Sequence, residues 1–342
     1  MVIDFEHHIA TEESFRSRDG VNGQMAWGVD EMGRGRGLIR EEIYRIDRHL
    51  EFMDDAGIDT AVLTSFTGKV REIKAICELY AKMMTDYPGR FIGFAPVAPL
   101  DGRTGLDEME WAIKELGLKG VCLSSVQRDN TFMDSRKMWP FYKKVAELDV
   151  PIFIHVGEPR GYEALYSAPY NLAVTLVREY DLAVTAVRLV LSGVLVEFPN
   201  LKFVISHMGG GISAVRERLI RYIRVWDDKF WAWDKKHWDG IGKESPLDRP
   251  YAENFIKYFD KLNFNMAGYE GGMNAVKCAL TTIKPERLVF GTDYYPNFTG
   301  SPDGAKNTAD CKKYIEDIKA LDLPKEEIEG ILSGNAKKLL GI

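Results

Sequence analysis

The chain has 342 residues, of which 45% are hydrophobic and 28% charged, and its formal net charge is −6. This composition is typical of a globular protein and excludes a disordered or fibrous chain. The sequence has neither a basic run nor the ~18 consecutive apolar residues of a membrane span, so it predicts a small-molecule partner rather than nucleic acid or membrane.

Eight short apolar runs, each bounded by Gly, Pro or charged residues, predict strands. They lie at 2–6, 60–65, 91–98, 119–125, 151–156, 202–207, 261–266 and 287–293. Helical spacing falls between them, at 40–56, 70–87, 105–116, 136–148, within 169–198, 212–233, 272–282 and over 308–340. Strands that alternate with helices form parallel βαβ units, and eight such units predict a (β/α)8 barrel in a single domain over 1–342.

A doubly wound open sheet is the alternative fold, but no G-x-G-x-x-G follows the first strand. Two segments stand outside the alternation. Residues 11–37 form a polar, Gly- and Arg-rich loop at the carboxyl end of the first strand, and 230–250 form an aromatic, charged insertion after a helix. Four widely spaced cysteines without a C-x-x-C pair predict reduced thiols, and the N-terminus lacks a basic leader, so we expect a cytoplasmic protein.

The active site of such a barrel forms where strands end, so histidines at strand ends are the candidates for chemistry. Three of the six meet this condition, namely His8, His155 and His207. His49 and His237 fall in a helix and an insertion, where we expect them at the surface.

Strand alternation separates the residues of the opening stretch. Side chains alternate faces with period two, so Glu6 and His8 should point inward with Asp4, while His7 and Phe5 should point toward the helices. A carboxylate and an imidazole on one face can bind a divalent ion, although a salt-linked strand end explains the pair equally well.

The remaining strand-end residues each have an ordinary explanation. His155 could be a hydrogen-bonded core histidine, the glycines after His207 could simply make a tight turn, and Asp293 could cap a helix. Two carboxylates and two imidazoles from strands one, five and eight, with His207 beside them, are harder to explain by packing. The combination favours a metal site formed by Glu6, His8, His155 and Asp293.

These residues lie in the segments IDFEHH (3–8), FIHVGEP (153–159), VISHMGGG (204–211) and ERLVFGTDYYP (286–296). In them the chain resembles the amidohydrolase superfamily, and within it the decarboxylase branch that includes aminocarboxymuconate-semialdehyde and γ-resorcylate decarboxylases. Most superfamily members carry H-x-H on the first strand. Here Glu6 stands in the first position, as in the aromatic-acid decarboxylases, and His8 in the second.

The resemblance implies one divalent ion, Zn²⁺ or Mn²⁺ with Mg²⁺ possible, held by Glu6, His8, His155 and Asp293. No lysine ends the fourth strand to bridge a second metal. The resemblance also implies that His207 is a catalytic acid and base, with Asp293 as the other candidate proton donor.

The implied reaction is loss of CO2 from a hydroxylated aromatic, or related unsaturated, carboxylic acid. Arg160 is the candidate residue for binding a second polar group of this substrate, and we expect a homodimer or homotetramer. A mononuclear hydrolase acting on lactones or amides, a hydratase, and a non-enzymatic binding protein remain alternatives.

Overall fold

The computed structural model describes residues 1–16, 28–29, 35–36, 41–65, 70–127, 129–157, 172, 176–225, 247, 250–267, 272–295 and 308–342. Most of the predicted loop 11–37 and of the insertion 230–250 therefore lies outside the described residues. Within the described ranges, no helix is long and apolar enough to cross a membrane.

Eight parallel strands lie side by side in chain order. They are β1 (Ile3–His7), β2 (Thr60–Leu63), β3 (Phe91–Pro96), β4 (Gly120–Ser124), β5 (Ile152–His155), β6 (Phe203–Ile205), β7 (Asn263–Asn265) and β8 (Leu288–Val289). Backbone hydrogen bonds join the last strand to the first, from the Phe5 N–H to the Phe290 carbonyl at 2.9 Å and from the His8 N–H to the Tyr294 carbonyl at 2.5 Å. The predicted (β/α)8 barrel is confirmed, and the open-sheet alternative is wrong.

Helices connect the strands and continue beyond the last one. They are α1 (Glu12–Arg16), α2 (Ile46–Ala56), α3 (Val70–Asp86), α4 (Gly102–Lys114), α5 (Trp139–Leu148), α6 (Arg178–Leu191), α7 (Val194–Glu197), α8 (Ile212–Val225), α9 (Tyr251–Phe259), α10 (Gly272–Leu280), α11 (Thr308–Lys319), α12 (Lys325–Glu329) and α13 (Asn335–Leu340). Short 3-10 turns at Glu41–Tyr44 and Arg136–Met138 precede α2 and α5. A short antiparallel pair, Gly28–Val29 with Gly35–Arg36, lies in the loop after β1.

The apolar side chains inside the barrel form one cluster, and those between the strands and the helices form another. The members of the first cluster come from seven of the strands and from α13, namely Ile3, Phe5, Val62, Ile92, Phe94, Cys122, Phe153, Val204, Val289, Ala336 and Leu340. The alternate strand residues pack instead against the helices. Because apolar side chains fill the barrel, polar chemistry is confined to its carboxyl end.

β1 contains one extra residue, and this corrects two predictions. Asp4 pairs with Ala61 but His7 with Leu63, so β1 advances three residues while β2 advances two. Such a bulge breaks the alternation of faces. Phe5, predicted to face the helices, packs inside the barrel with its ring 5.6 Å from that of Phe94.

The same bulge directs Asp4 away from the barrel interior, although it was predicted to point inward. Its carboxylate bonds to His7 and Thr292 on the helix side of β1. His7 faces α2, as predicted, and contacts His49 there. His49 is fully buried, so its predicted surface position is wrong.

Candidate functional site

Four side chains converge at the carboxyl end of the barrel. Glu6 lies in the bulged part of β1, and His8 directly follows that strand. His155 ends β5, and Asp293 lies shortly after β8. One ligand atom from each lies within 4.8 Å of the others. The structure thus brings together all four residues that the sequence predicted as metal ligands.

Glu6 has one satisfied oxygen and one unsatisfied oxygen. Its Oε2 accepts hydrogen bonds from the Ser206 hydroxyl at 2.7 Å and from the Asn265 amide at 2.5 Å. Its Oε1 is buried without a hydrogen-bond partner among the described residues, 3.4 Å from His155 Nε2. Burial raises the pKa of Glu6, but the nearby imidazoles of His8 and His207 bring it below its ordinary value. A buried carboxylate oxygen without a donor, pointing at imidazole nitrogens, fits a bound cation.

His155 is held as a neutral ligand. Its Nδ1 donates to the Val156 carbonyl at 3.1 Å, so Nε2 carries the lone pair and faces the centre of the site. Burial lowers the pKa of His155 to about 4. The ring therefore offers a metal-binding nitrogen at neutral pH.

His8 and Asp293 share a proton across a 2.8 Å contact between Nε2 and Oδ1. Burial lowers the pKa of His8, but its hydrogen bond with Asp293 and the nearby Glu6 carboxylate raise it to about 9. Burial raises the pKa of Asp293, but the nearby His207 and the hydrogen bond with His8 hold it well below its ordinary range. Binding of a cation would release the shared proton, as metal ligands require. Two carboxylates and two imidazoles suit Mn²⁺ or Zn²⁺.

His207 lies beside these four residues rather than among them. Its Nε2 is 3.7 Å from Asp293 Oδ2 and 3.9 Å from Glu6 Oε1. Its Nδ1 donates to Glu179 Oε1 at 2.8 Å. Burial lowers the pKa of His207, but the charge of Glu179 and the nearby Asp293 carboxylate raise it well above its ordinary value. The arrangement favours the protonated imidazole, with its Nε2 facing the site.

A run of left-handed residues allows Glu179 to reach His207. His207, Met208, Gly209 and Gly210 all have positive φ, between 50° and 69°. A Cβ on Gly210 would lie 1.7 Å from the Glu179 carbonyl oxygen. The glycines make a tight turn, as one predicted explanation held, and Gly210 also lets α6 approach the site.

A cavity of about 1330 Å³ opens beside His207 and Asp293, between α6, α8 and α10. Arg178, Arg218 and Tyr222 line it together with aliphatic side chains.

Several predicted residues cannot be placed. Arg160, the predicted substrate-binding residue, lies outside the described residues, as do the tryptophans of the insertion 230–250.

Three residues of the site were not predicted. Ser206 and Asn265 stand at the ends of β6 and β7, where the strand-end criterion could have identified them. Glu179 lies on a helix, and the sequence around it gives no signal of its role.

Known proteins resemble the chain over most of its length. It matches the sequence profile of the family described as Amidohydrolase over residues 3–342. A gamma-resorcylate decarboxylase of Polaromonas sp. (strain JS666) is 26% identical over 334 residues, which cover 91% of this chain and 94% of that protein. A 2-keto-4-carboxy-3-hexenedioate hydratase of Sphingobium sp. (strain SYK-6) is 25% identical over 281 residues, covering 78% and 70%.

A solved structure shows the same fold. The dihydroxybenzoic acid decarboxylase of Polaromonas sp. JS666, with bound manganese and the inhibitor 2-nitroresorcinol, has a TM-score of 0.72 to this chain. The two are 23% identical, and the match covers 99% of this chain and 96% of that one.

Proposed function

Because the chain belongs to the amidohydrolase family, we propose that it is a metal-dependent decarboxylase of a hydroxylated aromatic, or related unsaturated, carboxylic acid. The observation that carries the proposal is His207, bonded through Nδ1 to Glu179 and placed beside a cluster of two carboxylates and two imidazoles. The gamma-resorcylate decarboxylase relative supports this reaction class.

Glu6, His8, His155 and Asp293 would hold one divalent ion. The manganese in the related decarboxylase structure favours Mn²⁺, with Zn²⁺ and Mg²⁺ as alternatives. When bound, the ion would supply a Lewis acid that stabilises negative charge on the oxygens of the substrate and helps to orient it. β4 ends in Ser124, and the lack of a lysine there supports a single ion.

The proton donor in this proposal is His207. Direct loss of CO2 would leave an unstable aryl carbanion, so the ring carbon must first receive a proton. His207 Nε2–H transfers its proton to that carbon, while Glu179 at Nδ1 holds the imidazole in place. The C–C bond then breaks, its electron pair restores the aromatic ring, and CO2 leaves. Asp293 is a poor donor because its hydrogen bonds keep its carboxylate ionised.

Hydration of an unsaturated acid is the second candidate function. The hydratase relative favours it, since hydration also needs a proton delivered to carbon. In hydration, water adds to the substrate beside the protonated carbon, whereas in decarboxylation CO2 leaves from that carbon.

The decisive experiment is a substrate panel for the Mn²⁺-loaded protein. Hydroxybenzoates and heterocyclic acids are followed by CO2 release, unsaturated diacids by hydration, and lactones and amides by hydrolysis. We expect turnover of the first group alone. Turnover confined to the other groups would contradict decarboxylation.

A variant tests the proposed role of His207. His207→Asn should retain bound Mn²⁺ and lose decarboxylation, because His207 holds a proton without ligating the ion. Near-parental turnover by this variant would overturn the assignment.

Arg160 remains the proposed residue for a second polar group of the substrate. Arg160→Gln should then raise KM more than it lowers kcat. An unchanged KM would exclude this role.

The assembly is proposed to be a homodimer or homotetramer in the cytoplasm. Two neighbouring helices expose apolar side chains, with Tyr180 and Val184 on α6 and Val215 and Tyr222 on α8. Such a patch suits a subunit interface. The four cysteines are free, which supports a reducing compartment. Light scattering should report a dimer or tetramer that Tyr222→Glu dissociates; a monomeric parent would exclude the assembly.

A further inference from the structure

On the helix side of β1, one buried carboxylate bonds to the backbone around the candidate metal site. Asp4 is fully buried. Its Oδ1 accepts hydrogen bonds from the backbone N–H groups of Glu6 at 3.2 Å and of Thr292 at 2.8 Å. Its Oδ2 accepts from the Thr292 hydroxyl at 2.6 Å and from His7 Nδ1 at 2.9 Å. Asp4 therefore uses both oxygens without reaching the metal ligand atoms.

Each of these contacts is at or next to a candidate ligand. Glu6 is itself one, His7 precedes His8, and Thr292 precedes Asp293. The Thr292 hydroxyl also accepts the Tyr294 N–H at 3.0 Å, so the residues on both sides of Asp293 are held. Asp293 has a φ of +54°. A left-handed aspartate persists only where its surroundings fix it.

The network continues into α2. His7 Nε2 lies 2.8 Å from His49 Nδ1, and His49 Nε2 lies 3.3 Å from the Ile43 carbonyl. A carbonyl can only accept, so His49 donates through Nε2 and accepts through Nδ1, and His7 donates through Nε2.

One further proton must lie between His7 and Asp4, because their facing atoms are 2.9 Å apart. Asp4, His7 and His49 together then carry no net charge, as complete burial requires. An asparagine at position 4 with a neutral His7 would keep the net charge and a bond to each partner, with its Nδ2 donating to His7 Nδ1 and to Thr292 Oγ1. The Thr292 hydroxyl would then donate to the Glu6 carbonyl, 3.4 Å away.

We propose that Asp4 is a positioning residue of the metal centre. It holds Glu6, His8 and Asp293 together across the seam where β8 meets β1. This inference rests on the metal site in the proposed function. Groups that orient metal ligands typically change metal affinity by 10- to 100-fold when lost, so a similar loss is expected here.

Mn²⁺ binding to the metal-stripped full chain tests the inference directly. The dissociation constant is measured from the electron paramagnetic resonance signal of free Mn²⁺, and the unfolding temperature of each apo variant is recorded beside it. Asp4→Ala should weaken binding at least about tenfold, whereas Asp4→Asn should stay within about threefold of the parent, since it preserves the network. His155→Ala, which removes a proposed direct ligand, gives the reference Mn²⁺ affinity for the loss of one ligand.

A second pair covers the case in which Asp4→Ala does not fold. Thr292→Val removes only the hydroxyl and should weaken Mn²⁺ binding about tenfold, and Thr292→Ser should restore it. Parental Mn²⁺ affinity in Thr292→Val, with only a lower unfolding temperature, would show a purely structural role and overturn the inference. Equal weakening in Thr292→Val and Thr292→Ser would overturn it as well. A parent chain that binds no Mn²⁺ would instead overturn the proposed metal site.

Discussion

The contact between Glu179 and His207 gives a prediction about pH dependence. Glu179→Gln keeps an acceptor for the His207 Nδ1–H but removes the negative charge 2.8 Å from it. A neutral partner stabilises the imidazolium less, so the pKa of His207 should fall. The alkaline limb of the pH profile for kcat/KM should therefore move to lower pH, because the proton donor is lost earlier.

The structure also sets the size of the shift. A hydrogen bond to a charged group contributes about 1.5–3 kcal/mol and a neutral one about 0.5–1.5 kcal/mol. The two ranges differ by about 1–1.5 kcal/mol, and because Glu179 is 30% exposed, solvent screening keeps the effect from exceeding this difference. Since one pKa unit corresponds to about 1.4 kcal/mol, the expected shift is about one unit.

The assay is decarboxylation by the Mn²⁺-loaded enzyme between pH 5 and 10, with the best substrate of the panel. Glu329→Gln is the matched control. It removes the same charge from an exposed residue of α12, which packs near the turn before β8. A Glu179→Gln profile with its alkaline limb at the parental pH would refute the assignment of His207 as the titrating acid.

Three further predictions follow from single contacts. Glu6→Gln should weaken Mn²⁺ binding by more than about 100-fold, beyond the usual effect of a residue that only orients ligands, as measured by free Mn²⁺. Burial raises the pKa of Asp181 to about 6, so the contribution of Asp181 to the free energy of unfolding should fall by at most ~3 kcal/mol as pH rises from about 4 to 6. His155 has the opposite effect over this range because burial lowers its pKa to about 4, so in urea titrations the stability of Asp181→Asn should rise more steeply with pH than that of the parent. Gly210 and Gly211 both have positive φ, but only at Gly210 would a Cβ collide with Glu179. Gly211→Ala should lower the free energy of unfolding by about 1–2 kcal/mol. Gly210→Ala should lower it further and should also lower kcat.

The strands and the four residues that converge at the candidate metal site could be predicted from the sequence because each of the four is a polar residue at the end of an apolar run. His155 and Asp293 can each be identified in this way from their own segment of the sequence. The faces of β1 could not be predicted, since all five of its residues are buried and no polar alternation reveals the bulge. Asp4 and Phe5 were assigned to the wrong faces for this reason.

Two other features depend on contacts between distant segments. His49 is buried because His7, 42 residues away, supplies its hydrogen bond, and a helix sequence alone does not reveal such a partner. Glu179 reaches His207 only because Gly210 leaves space for it. Helix α9 was missed although its pattern is readable, with Ala252, Phe255 and Phe259 buried on one face.

The seam between β8 and β1 has a consequence for how the chain folds. His8 and Asp293 meet across it although 285 residues separate them. A ribosome-bound chain that lacks its last strand cannot assemble the full ligand set, and contacts of such long range form late in folding. Mn²⁺ should therefore bind tightly only after ring closure and, by mass action, stabilise the closed barrel as a whole. The ion proposed for catalysis would then also stabilise the contact between the first and last strands of the barrel.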